Sequence, residues 1–188
     1  MKKTYTLNVA GLTRNLPLCP VNEDLYIGAF IMFGDVELTK RAAAELLKKI
    51  PECDVLATAE SKGIPLVYEM ARQSGRNTYV VMRKGSKLYM EDVTSVEVDS
   101  ITTDHRQILC VGSREAEMIR GKRVLLIDDV ISTGETMTAM EALIEKTGGT
   151  VAGRAAVLAE GEAVGRKDIV YLAPLPVFDG SGREVKHP

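Results

Sequence analysis

The stretch Val124–Thr136, VLLIDDVISTGET, holds most of the chemistry that can be read from this chain. An apolar run ends in two adjacent carboxylates, Asp128 and Asp129. Ser132, Thr133, Gly134 and Thr136, small or hydroxylic, follow. A helix is expected from about Glu135, and the free N–H groups of a helix N-terminus attract anions. The hydroxyls add donors, and Gly134 lets a ligand approach the backbone closely. The turn therefore suits a phosphate. Two carboxylates would repel that phosphate unless they face another part of the ligand. Sugar hydroxyls, or a Mg²⁺ ion shared with the ligand, resolve the conflict. An isolated Asp-Asp is more often an ordinary strand-to-helix turn. Here strand, acid pair, hydroxyl turn and periodic helix coincide in order. Neither G-x-G-x-x-G nor G-K-[ST] is present, so dinucleotide and Walker-type loops are excluded.

Such a site needs elements to hold it. DVELTKRAAAELLKKI (35–50) places Leu38, Ala42, Leu46 and Ile50 on one side, an amphipathic helix. DVLATA (54–59) predicts a strand, IPLVYEMARQSG (64–75) a helix ended by Gly75, and NTYVVM (77–82) a second strand. Residues 94–112 alternate as a hairpin or meander does. SREAEMIRG (113–121) reads as a short helix with Ser113 as N-cap. RVLLID (123–128) is a continuous apolar strand of the parallel-sheet kind. ETMTAMEALIEKTGG (135–149) has helical spacing, and 150–161 and 168–178 supply the last strands. This alternation predicts an α/β fold with a doubly wound, mostly parallel sheet. Ligands bind such sheets at the carboxyl ends of the strands, where Asp128 and Asp129 are expected to emerge. The first thirty residues show no clear helix and are expected to form a small cap.

Composition narrows the classes. With 188 residues, 45% hydrophobic and 27% charged, one ordinary domain, 1–188, is expected. A net charge of -2 advertises neither nucleic acid nor an anionic membrane. Cys19, Cys53 and Cys110 form no C-x-x-C pair, and His105 and His187 are the only histidines. Disulfides, zinc knuckles and a Ser-His-Asp triad lack material, and a reducing compartment fits. MKKTYTLNVAGLTR is no signal peptide, and no run approaches membrane-spanning length. A soluble, cytoplasmic protein is expected.

VLLIDDVISTGET resembles the phosphoribosyl-pyrophosphate (PRPP) signature of type I phosphoribosyltransferases: apolar strand, two acids, two apolar residues, then small-T-G-x-T. The resemblance implies that Asp128 and Asp129 bind the ribose hydroxyls. Val130, Ile131, Ser132, Thr133, Gly134, Glu135 and Thr136 would form the loop that holds the 5-phosphate. AESKGIP (59–65) resembles the pyrophosphate loop of the adenine branch, which implies a pyrophosphate role for Glu60, Ser61, Lys62 and Gly63. By composition alone it would be a turn. MRKGSKLY (82–89) resembles the start of the family's mobile loop and implies that Arg83, Lys84 and Lys87 meet the leaving pyrophosphate. SVEV (95–98) resembles the strand that carries a glutamate near the base, making Glu97 a partner for purine N7 and, with Lys87, Asp128 and Asp129, a catalytic candidate. These motifs span roughly residues 54–160. KGSKLYMEDVTSVEVDS also resembles bacterial xanthine phosphoribosyltransferases.

The implied reaction joins a purine nitrogen to C1 of PRPP and releases pyrophosphate, with Mg²⁺ held mainly through PRPP rather than by direct protein ligands. Hypoxanthine-guanine enzymes of the family carry Asp where this chain has Ser132, and the adenine branch usually has Ala. Adenine is therefore the expected base, with xanthine as the alternative. Ile131 and Phe178 are the candidate walls for the purine, and about 1–35 the base hood. A PRPP-sensing regulator without catalysis ranks lower, since no helix-turn-helix segment precedes the domain. Orotate phosphoribosyltransferase ranks last, because its loop carries a denser basic set than RKGSK. A homodimer is implied by the resemblance alone.

Overall fold

A computed structural model of the chain describes residues 4–98 and 107–185. Five strands form a parallel sheet in the order β10-β9-β8-β4-β5: β4 (Val55–Ala59), β5 (Val80–Met82), β8 (Arg123–Ile131), β9 (Thr150–Glu160) and β10 (Val170–Leu175). Side chains of a strand alternate between faces. Leu125 and Ile127 of β8 accordingly join one buried cluster, with residues of α1 (Val36–Leu47) and α2 (Ile64–Gln73). Val124 and Leu126 join the other, with α3 (Ser113–Ile119) and α4 (Glu135–Lys146). Two apolar layers on one sheet are what the continuous hydrophobic run of β8 requires. The expected α/β class and doubly wound arrangement are therefore found.

The strand order creates a switch point. From β4 the chain moves outward through α2 to β5, and from β8 it moves the other way through α4 to β9 and β10. The crevice between β4 and β8, at their carboxyl ends, is where ligands bind in open α/β sheets.

The N-terminal segment is entirely β. β1 (Thr4–Val9) and β2 (Leu12–Pro20) form a hairpin, and β3 (Tyr26–Gly28) extends it. Its tight turn places Ala10 and Gly11 at positive φ. This antiparallel sheet is completed from the other end of the chain, by β11 (Val177–Phe178) and β12 (Glu184–Val185). Leu7, Val9 and Leu16 reach into the same core cluster as α1 and Leu175.

Several expected boundaries shift. The strand expected at 77–82 shortens to β5, leaving Tyr79 to stack edge-on against Tyr68 at 6.3 Å. Gly112, not Ser113, caps α3. Ser113 is already helical and makes no capping hydrogen bond. Residues 94–112 yield a two-stranded antiparallel ribbon, β6 (Thr94–Val98) and β7 (Gln107–Val111). The connection at 99–106, His105 included, and His187 lie outside the described residues. The largest shift concerns the acid pair: β8 runs on to Ile131, so Asp128 and Asp129 sit inside the strand rather than beyond its end.

Candidate active site

Because β8 continues past the aspartates, both are nearly closed to solvent, at 7% and 4% exposure. Burying an ionised carboxylate is costly unless it is paired and hydrogen-bonded. Asp128 Oδ1 accepts from the Asp129 backbone N–H at 2.9 Å and from Ser61 Oγ at 3.1 Å. Asp129 Oδ2 meets the Lys62 ammonium at 2.8 Å. Two carboxylates and one cation leave excess negative charge. Burial first, and then the neighbouring Asp129 charge, push the Asp128 carboxyl up to about 7 from its ordinary 3.8.

The loop after β4 supplies these partners. Glu60, Ser61, Lys62 and Gly63 cross the switch point toward β8, and Gly63 is pressed against it. A Cβ there would lie 2.6 Å from Thr58 Oγ1 and 3.3 Å from Asp128 Cα, so only glycine lets the loop lie this close to β8. Lys62 turns inward, onto Asp129 and onto the Phe30 carbonyl at 3.0 Å.

Glu60 gathers the other basic segment. Its Oε2 accepts from the Lys84 backbone N–H at 3.1 Å, and the carboxylate lies 3.7 Å from Arg83 and 3.9 Å from Lys87. That backbone hydrogen bond, helped by the three positive charges, holds Glu60 below the ordinary glutamate range. Arg83 is pinned by reciprocal backbone hydrogen bonds to Cys110, each 2.8 Å. The segment expected to be mobile is therefore anchored where it leaves β5.

The turn after β8 has the expected form. Gly134 adopts φ 86° as the residue before α4, a left-handed conformation that favours glycine. Thr133 Oγ1 accepts from the Glu135 N–H at 3.4 Å. Gly134, as the N-cap, has no side chain to occupy the first turn of α4, and helix N-termini attract anions. Asp128 and the stretch 130–137, including Val130, Ser132 and Thr136, line a small pocket here. Arg166 also stands close, its Nη1 2.8 Å from where a Gly134 Cβ would be.

The structure thus brings together the residues expected at 60–63, 83–87 and 128–136. Others stand elsewhere. Phe178 is buried at 2% exposure, its ring 5.1 Å from that of Tyr5, so that face is spent on packing within the antiparallel sheet. Ile131 lines the small pocket while it is also buried in the cluster that holds Met137. Glu97 lies on β6 opposite Ile108, with an exposed side chain on a ribbon separate from the five-stranded sheet.

Two participants carry no sequence motif. The Phe30 carbonyl is backbone, and no residue type announces it. Glu160 ends β9 one residue beyond Ala159, which pairs with Ile131, so it stands at the same sheet edge. Its carboxyl is pushed up by burial, an effect that the Lys62 charge opposes. Knowing the strand order would have pointed to it. Among the described residues no group of three His, Cys, Asp or Glu is arranged to hold a metal, and no helix is long and apolar enough to cross a membrane.

A switch-point crevice with a buried acid pair, a glycine-capped turn into α4 and the loops at 60–63 and 83–87 has counterparts among known proteins. The phosphoribosyl transferase domain model matches residues 33–174. Adenine phosphoribosyltransferase of Mycobacterium tuberculosis strain H37Rv is 30% identical over 169 residues, covering 90% of this chain and 76% of its own. The Mycobacterium avium enzyme of the same name is 28% identical over 169 residues, with 90% and 89% covered. The crystal structure of adenine phosphoribosyltransferase from Thermoanaerobacter pseudethanolicus superposes with a TM-score of 0.61 at 25% identity, covering 74% of this chain and 82% of that one. The matched region takes in the acid pair, the turn after β8 and the loops at 60–63 and 83–87, and on that ground the chain belongs to the phosphoribosyltransferase family, with the type I fold and the pentosyltransferase chemistry of its members.

Proposed function

We propose that the chain transfers the phosphoribosyl group of PRPP to adenine, releasing pyrophosphate, in purine salvage. The observation that carries this reading is the buried Asp128–Asp129 pair, set between the N-terminus of α4 and the loops at 60–63 and 83–87. The names of the relatives favour adenine, as does Ser132, which offers no carboxylate of its own at the phosphate turn.

In this reading the acid pair accepts the two ribose hydroxyls, and N–H and hydroxyl groups of residues 132–136 hold the 5-phosphate. The pyrophosphate leaves toward Gly63, Arg83, Lys84 and Lys87. The purine nitrogen forms the new bond to C1 as the C1–oxygen bond to pyrophosphate breaks, and the electron pair departs with the pyrophosphate. Positioning and charge neutralisation are the main contributions, since the transition state gathers positive charge on the sugar. Glu97, on the β6–β7 ribbon, is retained as the partner of N7, and its carboxylate takes the proton that the purine gives up as the new bond forms.

Mg²⁺ belongs to the reading as an ion that PRPP oxygens largely hold. Buried carboxylate oxygens with excess negative charge suit a hard cation nearby. When bound, it neutralises the diphosphate. The rest of the reading takes residues 1–188 as one catalytic domain, the N-terminal strands as its base hood, the working form as a homodimer and the location as cytoplasmic.

Initial rates with PRPP and Mg²⁺ for adenine, hypoxanthine, guanine, xanthine and orotate test this. Adenine is expected to give the highest kcat/KM. Xanthine preference would keep the mechanism and change the base. Retained PRPP binding without turnover of any base would make the protein a PRPP sensor.

A further inference from the structure

Lys62 lies in the loop assigned above to pyrophosphate, yet its ammonium faces the other way. An ammonium has three donors and no acceptor. One is donated to the Phe30 carbonyl at 3.0 Å, while the charge pairs with Asp129 Oδ2 at 2.8 Å without a hydrogen bond to it. The Glu160 carboxyl is close enough to feel its charge. Lys62 therefore joins three parts of the molecule: the acid pair on β8, the edge of β9, and the segment that leaves the antiparallel sheet for α1.

The contact on Phe30 is the telling one. Phe30 is buried at 4% exposure, two residues beyond β3 and two before Met32, which is wholly buried. The Ala29 N–H is held by the Pro17 carbonyl at 2.9 Å, and the Asp35 N–H by the Met32 carbonyl at 3.0 Å. Between these ties the chain passes beside the acid pair, and there the Phe30 carbonyl accepts from the Lys62 ammonium. A buried carbonyl left without its donor costs free energy, so the segment's position depends on this lysine.

We propose that Lys62 is a positioning residue for the base: it fixes the Phe30–Met32 segment of the hood against Asp129, and so couples the ribose site to the base site. The inference rests on the phosphoribosyltransferase reading above and deepens it. Asp129 is asked to accept a ribose hydroxyl while Lys62 stays paired with it. Filling the ribose site then fixes the carboxylate, the carboxylate fixes Lys62, and Lys62 fixes the hood. Coupling of this kind is reciprocal, so bound base must strengthen PRPP binding by the same factor. A lysine serving pyrophosphate alone would affect PRPP and pyrophosphate and leave the base untouched.

The test is steady-state kinetics of the full chain with PRPP and adenine for wild type, Lys62→Met and Lys62→Arg, with pyrophosphate inhibition measured alongside. Lys62→Met is expected to raise the adenine KM about tenfold at saturating PRPP, the size of one lost charge-assisted hydrogen bond. Lys62→Arg, which can still donate to the Phe30 carbonyl and pair with Asp129, is expected to stay within about threefold of wild type. Should Lys62→Met not fold, Lys62→Gln, whose amide can donate to one of the two oxygens, takes its place, with an increase of at least about threefold expected. An unchanged adenine KM in the methionine or glutamine variant, with only PRPP KM or pyrophosphate inhibition altered, overturns the proposal. Wild type that turns over no adenine would instead remove the reading on which it rests, and the proposal with it.

Discussion

The two sides of the crevice are built on opposite principles. On the β8 side, charge is buried and only partly satisfied: Asp128 is held by Ser61 and a backbone N–H, and Asp129 pairs with Lys62 while its Oδ2 lacks a hydrogen bond. On the antiparallel side, apolar packing fixes the frame, with Phe178 against Tyr5 and Leu7, Val9 and Leu16 in the core. Lys62 links the two sides through a backbone carbonyl rather than a side chain. On the proposed function a ligand shares this buried charge, and the acid side of the free protein carries its cost. The packed side carries none, and its contribution to binding is position.

The comparison is sharpest in the pH dependence of the free protein. The folded pKa of Asp128, about 7, lies above its ordinary 3.8. Between those values the folded state binds more protons than the unfolded one, so stability falls as pH rises through that window, and the cost is complete above about 7. Asp128→Asn is expected to remove most of this slope. It should also stabilise the ligand-free protein at pH 8, since the raised pKa is a cost borne by the ionised form. Chemical denaturation at pH 5 and pH 8 checks it. An equal slope in both proteins would mean that the pair is not strained.

Next in size is Gly63→Ala. The added Cβ would meet Thr58 Oγ1 and the Asp128 backbone. Overpacking of this kind typically costs about 1–3 kcal/mol. PRPP affinity should fall with it, because the same movement displaces Ser61 from Asp128. Denaturation and PRPP titration of one preparation report both effects, and stability lost without any loss of PRPP affinity would separate the loop from the site.

The smallest effect is expected on the packed side. Phe178→Leu should cost about 1 kcal/mol of stability, through the volume left empty and the lost Tyr5 ring contact, and leave PRPP affinity unchanged. A tenfold change in PRPP KM would show that the two sides are not distinct.

How much was legible follows the same division. The apolar run of β8, the acid pair, Gly134 and the periodic helices are local patterns, and each landed within a few residues of its place. The burial of the aspartates was missed because a strand is not ended by charge when the loop of a neighbouring strand, here Ser61 and Lys62, supplies the partners. The roles of Glu160 and Phe30 were hidden for a related reason. One depends on β9 lying beside β8, the other on a main-chain atom, and neither strand order nor carbonyl direction is written in residue types. Likewise, nothing in the first thirty residues showed that their sheet is completed by residues 177–185.

The central claim is that the buried acid pair is the ribose anchor of PRPP. Calorimetric titration of PRPP with Mg²⁺ into wild type and into Asp128→Asn/Asp129→Asn tests it most directly. The double variant should remain folded and lose at least about a hundredfold in PRPP affinity, as two charge-assisted hydrogen bonds of about 1.5–3 kcal/mol each are weakened together. A folded double variant that binds PRPP as tightly as wild type would contradict the account.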